Sequence, residues 1–213
     1  MRRRFLRALA GAFLFLVPIV SAAQALEEFL KAVNAGDAKT VAFYLDKGLD
    51  PDTADPDGNT VLMIASRLGH MDVVNLLVNR KASVARRSAH GDTALMFACL
   101  KGHLEIARFL VAHGAQINQT AWTPLHYAAF EGRAAVISYL IEKGADKDAL
   151  APNGFTALML AARGGHIEAM RALLYDDANV AIKGPKGETA LSIARTRKDE
   201  AAEALLKRAG AAD

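Results

Sequence analysis

The sequence predicts an all-α repeat solenoid, and three observations carry the prediction. Thr60, Thr93, Thr123, Thr156 and Thr189 open one recurring phrase, T-V-L-M-I-A, T-A-L-M-F-A, T-P-L-H-Y-A, T-A-L-M-L-A and T-A-L-S-I-A, at steps of 33, 30, 33 and 33 residues. A fixed period of this size marks stacked supersecondary units that bury their apolar faces only against neighbours. A glycine follows each phrase at one offset, at Gly69, Gly102, Gly132 and Gly165, with Lys198 in that place in the last unit. No shift in composition interrupts the array, so one elongated domain is expected rather than two globular ones.

Residues 1–25 stand apart. Met1 to Arg7 form a basic head without an acid, Ala8 to Val20 carry no charge, and small residues follow at Ser21-Ala22-Ala23 and Ala23-Gln24-Ala25. This is the pattern of a secretory signal peptide, with cleavage expected after Ala23 or Ala25. The apolar stretch is too short to span a bilayer, which needs about 20 residues. The head reads R-R-x-F-L-R, which fits the twin-arginine route, while the hydrophobic core fits the general secretory route equally well. Either route predicts a periplasmic or secreted protein. The leader holds four arginines and no acid, so residues 26–213 carry 22 basic and 23 acidic side chains, a net charge of −1. The apparent basicity of the whole chain therefore belongs to the leader, and binding to nucleic acid or to an anionic membrane is not expected.

The unit Thr123 to Asp148 shows the grammar of one repeat. Thr123 is placed to cap a helix, its hydroxyl accepting a backbone N–H two or three residues on. Pro124 occupies the first helical position, where its missing N–H costs nothing. Leu125, Ala128 and Ala129 share one face, the alanines admitting a close neighbour, and Gly132 stops the helix in a left-handed cap. A second helix is predicted over about Ala134 to Glu142, with Val136, Ile137, Leu140 and Ile141 as a wide apolar stripe, and Gly144 stops it. The polar stretch Ala145 to Phe155, with Pro152-Asn153-Gly154, reads as an extended finger with a turn. The other second-helix stops are Gly48, Gly114 and Gly210, with Lys81 and Asp177 as departures.

The phrase T-P-L-H-Y-A-A, the pairs Gly69-His70, Gly102-His103 and Gly165-His166, and the closure Gly144-Ala145-Asp146 resemble ankyrin repeats over essentially all of residues 26–213. The resemblance implies an ankyrin-repeat stack, each unit a helix-turn-helix with a β-hairpin-like finger, curved around a concave face. About six repeats are expected, near 26–57, 58–90, 91–120, 121–153, 154–186 and 187–213, the two outermost acting as polar end caps. It also implies that the recurring histidines hydrogen-bond the neighbouring loop.

No catalytic, cofactor-binding or metal-binding residue is expected. His70, His103, His126 and His166 could suggest a metal column. However, neighbouring helices sit about 8–10 Å apart, whereas zinc needs nitrogens at about 2 Å. Met63, Met96 and Met159 recur at one position and read as packing. Cys99 is the sole cysteine, so it has no disulfide partner, and its slot is filled by Ala129 and Ala162 in other units. The motifs G-x-x-x-x-G-K-[ST], G-x-S-x-G and H-E-x-x-H do not occur.

The resemblance places partner-reading positions at the fingertips, before each threonine, and in the two residues before each first-helix glycine. Carried over, these positions gather Leu100, Trp122, Phe130 and Phe155 in the middle repeats, with Arg67, Arg86, Arg87 and Arg163 around them. An aromatic centre with a charged rim is the anatomy of a protein-binding hot spot. The step of 30 residues adds a second expectation. The finger Gln116 to Ala121 is shorter than the others and lacks the glycine before Trp122, leaving a notch beside that ring. The predicted function is a non-enzymatic, monomeric, exported module that binds an unidentified protein through its concave face and fingers. It is predicted to need no cofactor and to have no contact with nucleic acid, or with membrane after leader cleavage. An accessory or protective factor for a single periplasmic enzyme is the alternative. Small-molecule binding or an enzymatic role would require a convergent polar site, and none is legible.

Overall fold

A computed structural model describes residues 22–212. The basic head and apolar core of the expected leader lie outside the described residues. Among the described residues twelve helices pair into six units: α1 (Ala22–Ala35) with α2 (Ala38–Asp46), α3 (Val61–Leu68) with α4 (Met71–Asn79), α5 (Ala94–Lys101) with α6 (Leu104–Ala112), α7 (Pro124–Phe130) with α8 (Ala134–Glu142), α9 (Ala157–Gly164) with α10 (Ile167–Tyr175), and α11 (Ala190–Thr196) with α12 (Glu200–Arg208). Helix α1 starts upstream of position 26, so both expected cleavage points fall within it.

The recurring threonines do what their spacing predicts. Each hydroxyl accepts the N–H of the residue three places on: Met63, Met96, His126 and Met159 at 3.3 Å each, and Ser192 at 3.2 Å. The threonine's own N–H is answered by that same third residue in four units, through Met63 Sδ at 3.4 Å, Met96 Sδ at 3.3 Å, His126 Nδ1 at 3.1 Å and Ser192 Oγ at 2.9 Å. This reciprocal pattern is a capping box in which methionine or histidine replaces the usual glutamate. A buried thioether can accept an N–H without the desolvation cost of a carboxylate, which suits a column that is nearly inaccessible to water.

His126 serves the same column differently. It is 1% exposed, and its Nε2 lies 3.0 Å from the Ala149 carbonyl. The carbonyl can only accept, so Nε2 carries the proton and Nδ1 is left to accept from Thr123. Burial holds the His126 pKa below its ordinary value of 6.5, against the opposing pull of the Ala149 carbonyl and the Asp146 charge.

The inner helices stack one on the next, α1 on α3, α3 on α5, α5 on α7, α7 on α9 and α9 on α11, and the outer helices touch more sparsely. Leu62, Leu95, Leu125, Leu158 and Leu191 fill the same place in successive units and are buried. The slot six residues after the threonine is small in four units: Cys99, Ala129 and Ala162 are fully buried there, and Ser66 is buried with its hydroxyl unpaired among the described residues, while the last unit has the exposed Arg195. Burial pushes the Cys99 thiol well above its usual range. Such a thiol is an inert packing group.

Glycine at the first-helix stop is required twice over. Gly69 has φ +83°, and a Cβ there would lie 2.7 Å from the His103 ring; Gly132 has φ +70° and would meet His166 at 2.6 Å. The rings press flat on these glycines because each donates to a carbonyl of the preceding unit: His70 to Asn34 at 3.0 Å, His103 to Arg67 at 3.2 Å and His166 to Phe130 at 3.0 Å. Arg133 Nε does the same for Leu100 at 3.1 Å. The histidines are thus a row of inter-repeat clamps, each bonded to a different carbonyl, and no group of three potential metal ligands forms among the described residues.

Where glycine is absent the backbone conformation persists. Lys81, Asp177 and Lys198 take φ of 69°, 58° and 57° at stops that are glycine elsewhere. A side chain there costs about 1–2 kcal/mol. The fingers are turns rather than strands; the one isolated bridge among the described residues pairs Ala54 with Thr60.

Two predictions follow from these contacts. Lys81→Gly relieves a left-handed position with nothing else to lose, and is expected to raise unfolding stability by about 0.5–1 kcal/mol in urea titrations. The depressed His126 pKa means that the unfolded chain binds the proton more readily, so its contribution is complete above pH 6.5 and is lost as the pH falls below it. His126→Gln keeps an acceptor for Thr123, so its stability should fall less steeply than wild type between neutral and mildly acidic pH, measured by urea midpoints.

Candidate protein-interaction groove

Three columns of side chains make the concave surface, and the helical register sets each of them. The residue before each threonine gives Asn59, Asp92, Trp122, Phe155 and Glu188. Four residues after it come Ile64, Phe97, Tyr127, Leu160 and Ile193. Seven after it come Arg67, Leu100, Phe130, Arg163 and Thr196. The second and third columns lie three residues apart on the inner helix and so share a face, while the first precedes the helix; Ile64 and Leu160 of the second column are buried.

Leu100, Trp122, Tyr127, Phe130, Asn153 and Arg163 line one hollow of about 370 Å³. Four of these, Leu100, Trp122, Phe130 and Arg163, are residues the sequence singles out. Phe130 stands 47% exposed at its edge. Trp122 is half-buried and meets its neighbours edge-on, with ring centroids 5.9 Å from His126 and 6.1 Å from Tyr127. Phe155 belongs to an adjoining hollow of about 360 Å³ that shares Arg163 with the first. The Arg163 guanidinium sits 5.2 Å from the Phe155 ring centre.

The remaining sequence candidates are placed elsewhere. Arg67 lies over Phe97, 5.7 Å from its ring centre, at the N-terminal margin of the patch. Arg86 and Arg87 point along the finger row instead: Arg86 is 3.9 Å from Asp52, and Arg87 donates to Gln119 Oε1 at 2.7 Å. They brace fingers and do not line either hollow.

Tyr127 and Asn153 are lining residues that sequence reading missed. The Tyr127 hydroxyl donates to Asp92 Oδ1 on the preceding unit. Burial and this carboxylate together hold the phenol in its protonated form, its pKa pushed well above the ordinary value. The bond fixes the Tyr127 ring as the floor of the hollow and ties two repeats together across it. Its sequence signal was weak, since Tyr127 occupies a column otherwise filled by plain hydrophobes.

The short finger is built as its length requires. In full-length fingers a backbone N–H five residues before the threonine donates to the carbonyl just before it, as Ser88 to Asp92 at 2.9 Å and Ala151 to Phe155 at 2.9 Å. In the short finger the side chain of Gln119 takes over, donating Nε2–H to the Trp122 carbonyl at 2.9 Å and to Met96 Sδ at 3.3 Å. The finger root is intact: Asn118 bridges to the Gly144 carbonyl at 2.7 Å and to the Asp146 N–H at 2.9 Å. The three missing residues are therefore taken from the tip. Ala121 holds φ +75°, the place of Gly58, Gly91, Gly154 and Gly187 in the other fingers. Asn153, on the next tip, reaches the hollow above Trp122.

Gln119→Ala should cost about 1–2 kcal/mol, because it leaves the Trp122 carbonyl and the Arg87 Nη2 group unanswered. Trp122 is the sole tryptophan. Its fluorescence should therefore shift toward longer wavelength in this variant, and an unchanged spectrum would show that the finger holds without Gln119.

Comparison with known proteins supplies context for this geometry. The profile of ankyrin repeats (three copies) matches residues 29–121, 86–151 and 125–213. A Caenorhabditis elegans protein, ankyrin repeat and KH domain-containing protein mask-1, is 33% identical over 93% of this chain, which spans 8% of that protein. Mouse protein phosphatase 1 regulatory subunit 27 is 40% identical over 59% of this chain and 63% of its own length. The chain spans 4% of human ankyrin repeat and KH domain-containing protein 1. Among solved structures, an ankyrin repeat domain from Acinetobacter baumannii AYE superposes with a TM-score of 0.75 at 29% identity, covering 86% of this chain and 98% of that one. The human ASB11 ankyrin repeat domain superposes with a TM-score of 0.81 at 22% identity, covering 86% and 84%.

Proposed function

Because this chain belongs to the ankyrin-repeat family, whose arrays generally mediate protein–protein interaction and are typically not enzymes, we propose that it is an exported module that binds a partner protein through its concave groove. The observation that carries the reading is the convergence of Leu100, Trp122, Tyr127 and Phe130 on one open hollow with Arg163 at its rim. Large rings held rigid by neighbours lose little entropy on binding, so they anchor a partner at low cost. The periplasmic location is part of this proposal and rests on the basic head, apolar core and small-residue sites of residues 1–25.

The test replaces Phe130 with the photo-crosslinker p-benzoylphenylalanine in cells exporting the protein, with the same substitution at Tyr175 as control. Tyr175 is 89% exposed at the end of outer helix α10. A discrete adduct from position 130 and none from 175 is expected. Trp122→Ala and Phe130→Ala should each weaken binding of the captured protein about tenfold or more. Partner affinity equal to wild type in both variants would discard the groove.

A further inference from the structure

The two adjoining hollows differ in charge, and the difference defines a ligand. We infer that the groove takes an extended acidic peptide segment: an apolar side chain seated in the Trp122 hollow, with carboxylates lying C-terminal-ward along the solenoid on Arg163, Lys186 and Arg197. This deepens the reading above and rests on it.

The first support is an imbalance of paired and unpaired charge. Arg163, Lys186 and Arg197 line the second hollow together with Phe155, Ile193 and a single acid, Glu188. Among the described residues none of the three takes part in an ion pair. The carboxylates of the same surface are already engaged. Asp92 accepts from Tyr127, Glu131 lies 3.5 Å from Arg133, and Glu188 Oε2 accepts the Lys186 N–H at 2.8 Å. The second hollow thus carries an excess of basic side chains, although residues 26–213 carry a net charge of −1. An incoming carboxylate meets three basic side chains against one acid of the hollow, Glu188, one of whose oxygens is already engaged.

Continuity is the second support. Arg163 belongs to both hollows. Its guanidinium is held over Phe155 at 5.2 Å, which fixes the side chain without using its N–H donors. A chain leaving the aromatic hollow toward the C-terminal repeats must cross it. Inner helices are spaced about 8–10 Å, and an extended chain advances about 3.3 Å per residue, so the carboxylates fall about three to five residues from the apolar anchor.

Ring placement disfavours a single-stranded nucleic acid. Base stacking needs open ring faces. One face of Phe155 is covered by Arg163, and residues 26–213 carry a net charge of −1. What remains open is a hollow between side chains, which suits a compact anchor such as leucine or phenylalanine.

The test uses the purified protein and fluorescein-labelled synthetic peptides read by polarisation, with Trp122 fluorescence as the local probe. The peptide Phe-Leu-Ser-Gly-Glu-Asp-Glu is compared with its neutral twin ending Gln-Asn-Gln, with a twin starting Ala-Ala, and with oligothymidylate. The acidic peptide should bind about tenfold tighter than the neutral twin at low salt, an advantage that shrinks at about 0.5 M salt. Arg163→Gln and Arg197→Gln should each remove about two- to fivefold of the acidic peptide's advantage over its neutral twin. The Ala-Ala twin should lose the Trp122 response. Equal affinity for the acidic and neutral peptides overturns the acidic preference and leaves the groove reading standing. Tighter binding of oligothymidylate overturns the peptide in favour of nucleic acid. No binding of any peptide at roughly millimolar concentration, far above the range of specific interfaces, also overturns it. The groove reading itself then stands or falls on cross-linking from position 130.

Discussion

No unit of this chain can bury its own apolar face, and every other feature follows from that constraint. Two helices of seven to nine residues leave Leu95, Leu125 or Leu158 exposed on one side until the next unit covers them. Covering requires a fixed register, and the register is held at the glycine stops. The ring of one unit lies on the glycine of the unit before and donates to the carbonyl two residues upstream of that glycine. Close approach and hydrogen bonding are a single contact here, since the carbonyl is within reach only because no Cβ intervenes. Once this contact repeats, the inner helices must stack and the residues facing away from the outer helices must form a continuous surface.

The same repetition explains why the concave surface is free to vary. Threonine caps, small slots and glycine stops use up the residues that define the stack. The columns before and seven after each threonine carry no comparable duty, and the column four after it packs to varying depth, from the buried Ile64 and Leu160 to the partly buried Phe97, Tyr127 and Ile193. Asp92 and Tyr127 show how two such positions are coupled to one another without disturbing the stack. The shortened finger works by the same rule. Its root and its base keep their bonds, so three residues can be removed from the tip while Gln119 replaces the lost turn contact.

Positions that depart from the repeat show that stacking dictates conformation more strongly than residue type does. Lys81, Ala121, Asp177 and Lys198 all take left-handed backbone where glycine stands elsewhere. Arg133 replaces a histidine and still reaches its carbonyl. Methionine replaces the acidic member of a capping box and still accepts the N–H. Each departure costs local energy, and the neighbouring repeats supply the contacts that hold it in place.

Much of the fold was legible in the residues alone. The period near 33 set the architecture, the five threonines set the helix starts, and the glycines set most of the stops, because caps and turns are local and use only neighbouring backbone groups. Leu100, Trp122, Phe130 and Arg163 could be assigned to one surface because the resemblance to ankyrin repeats places partner-reading positions at their offsets from the threonine. Contacts between repeats were beyond that reading. The Tyr127–Asp92 bond, the arrival of Asn153 over Trp122, the use of Gln119 as a substitute turn, and the diversion of Arg86 and Arg87 to neighbouring fingers depend on the pitch of the stack. Periodicity by itself determined which residues repeat and which face they share. Only the tertiary structure decided which side chain of one repeat meets which atom of the next, because that meeting is set by distances across the stack that no spacing along the chain encodes.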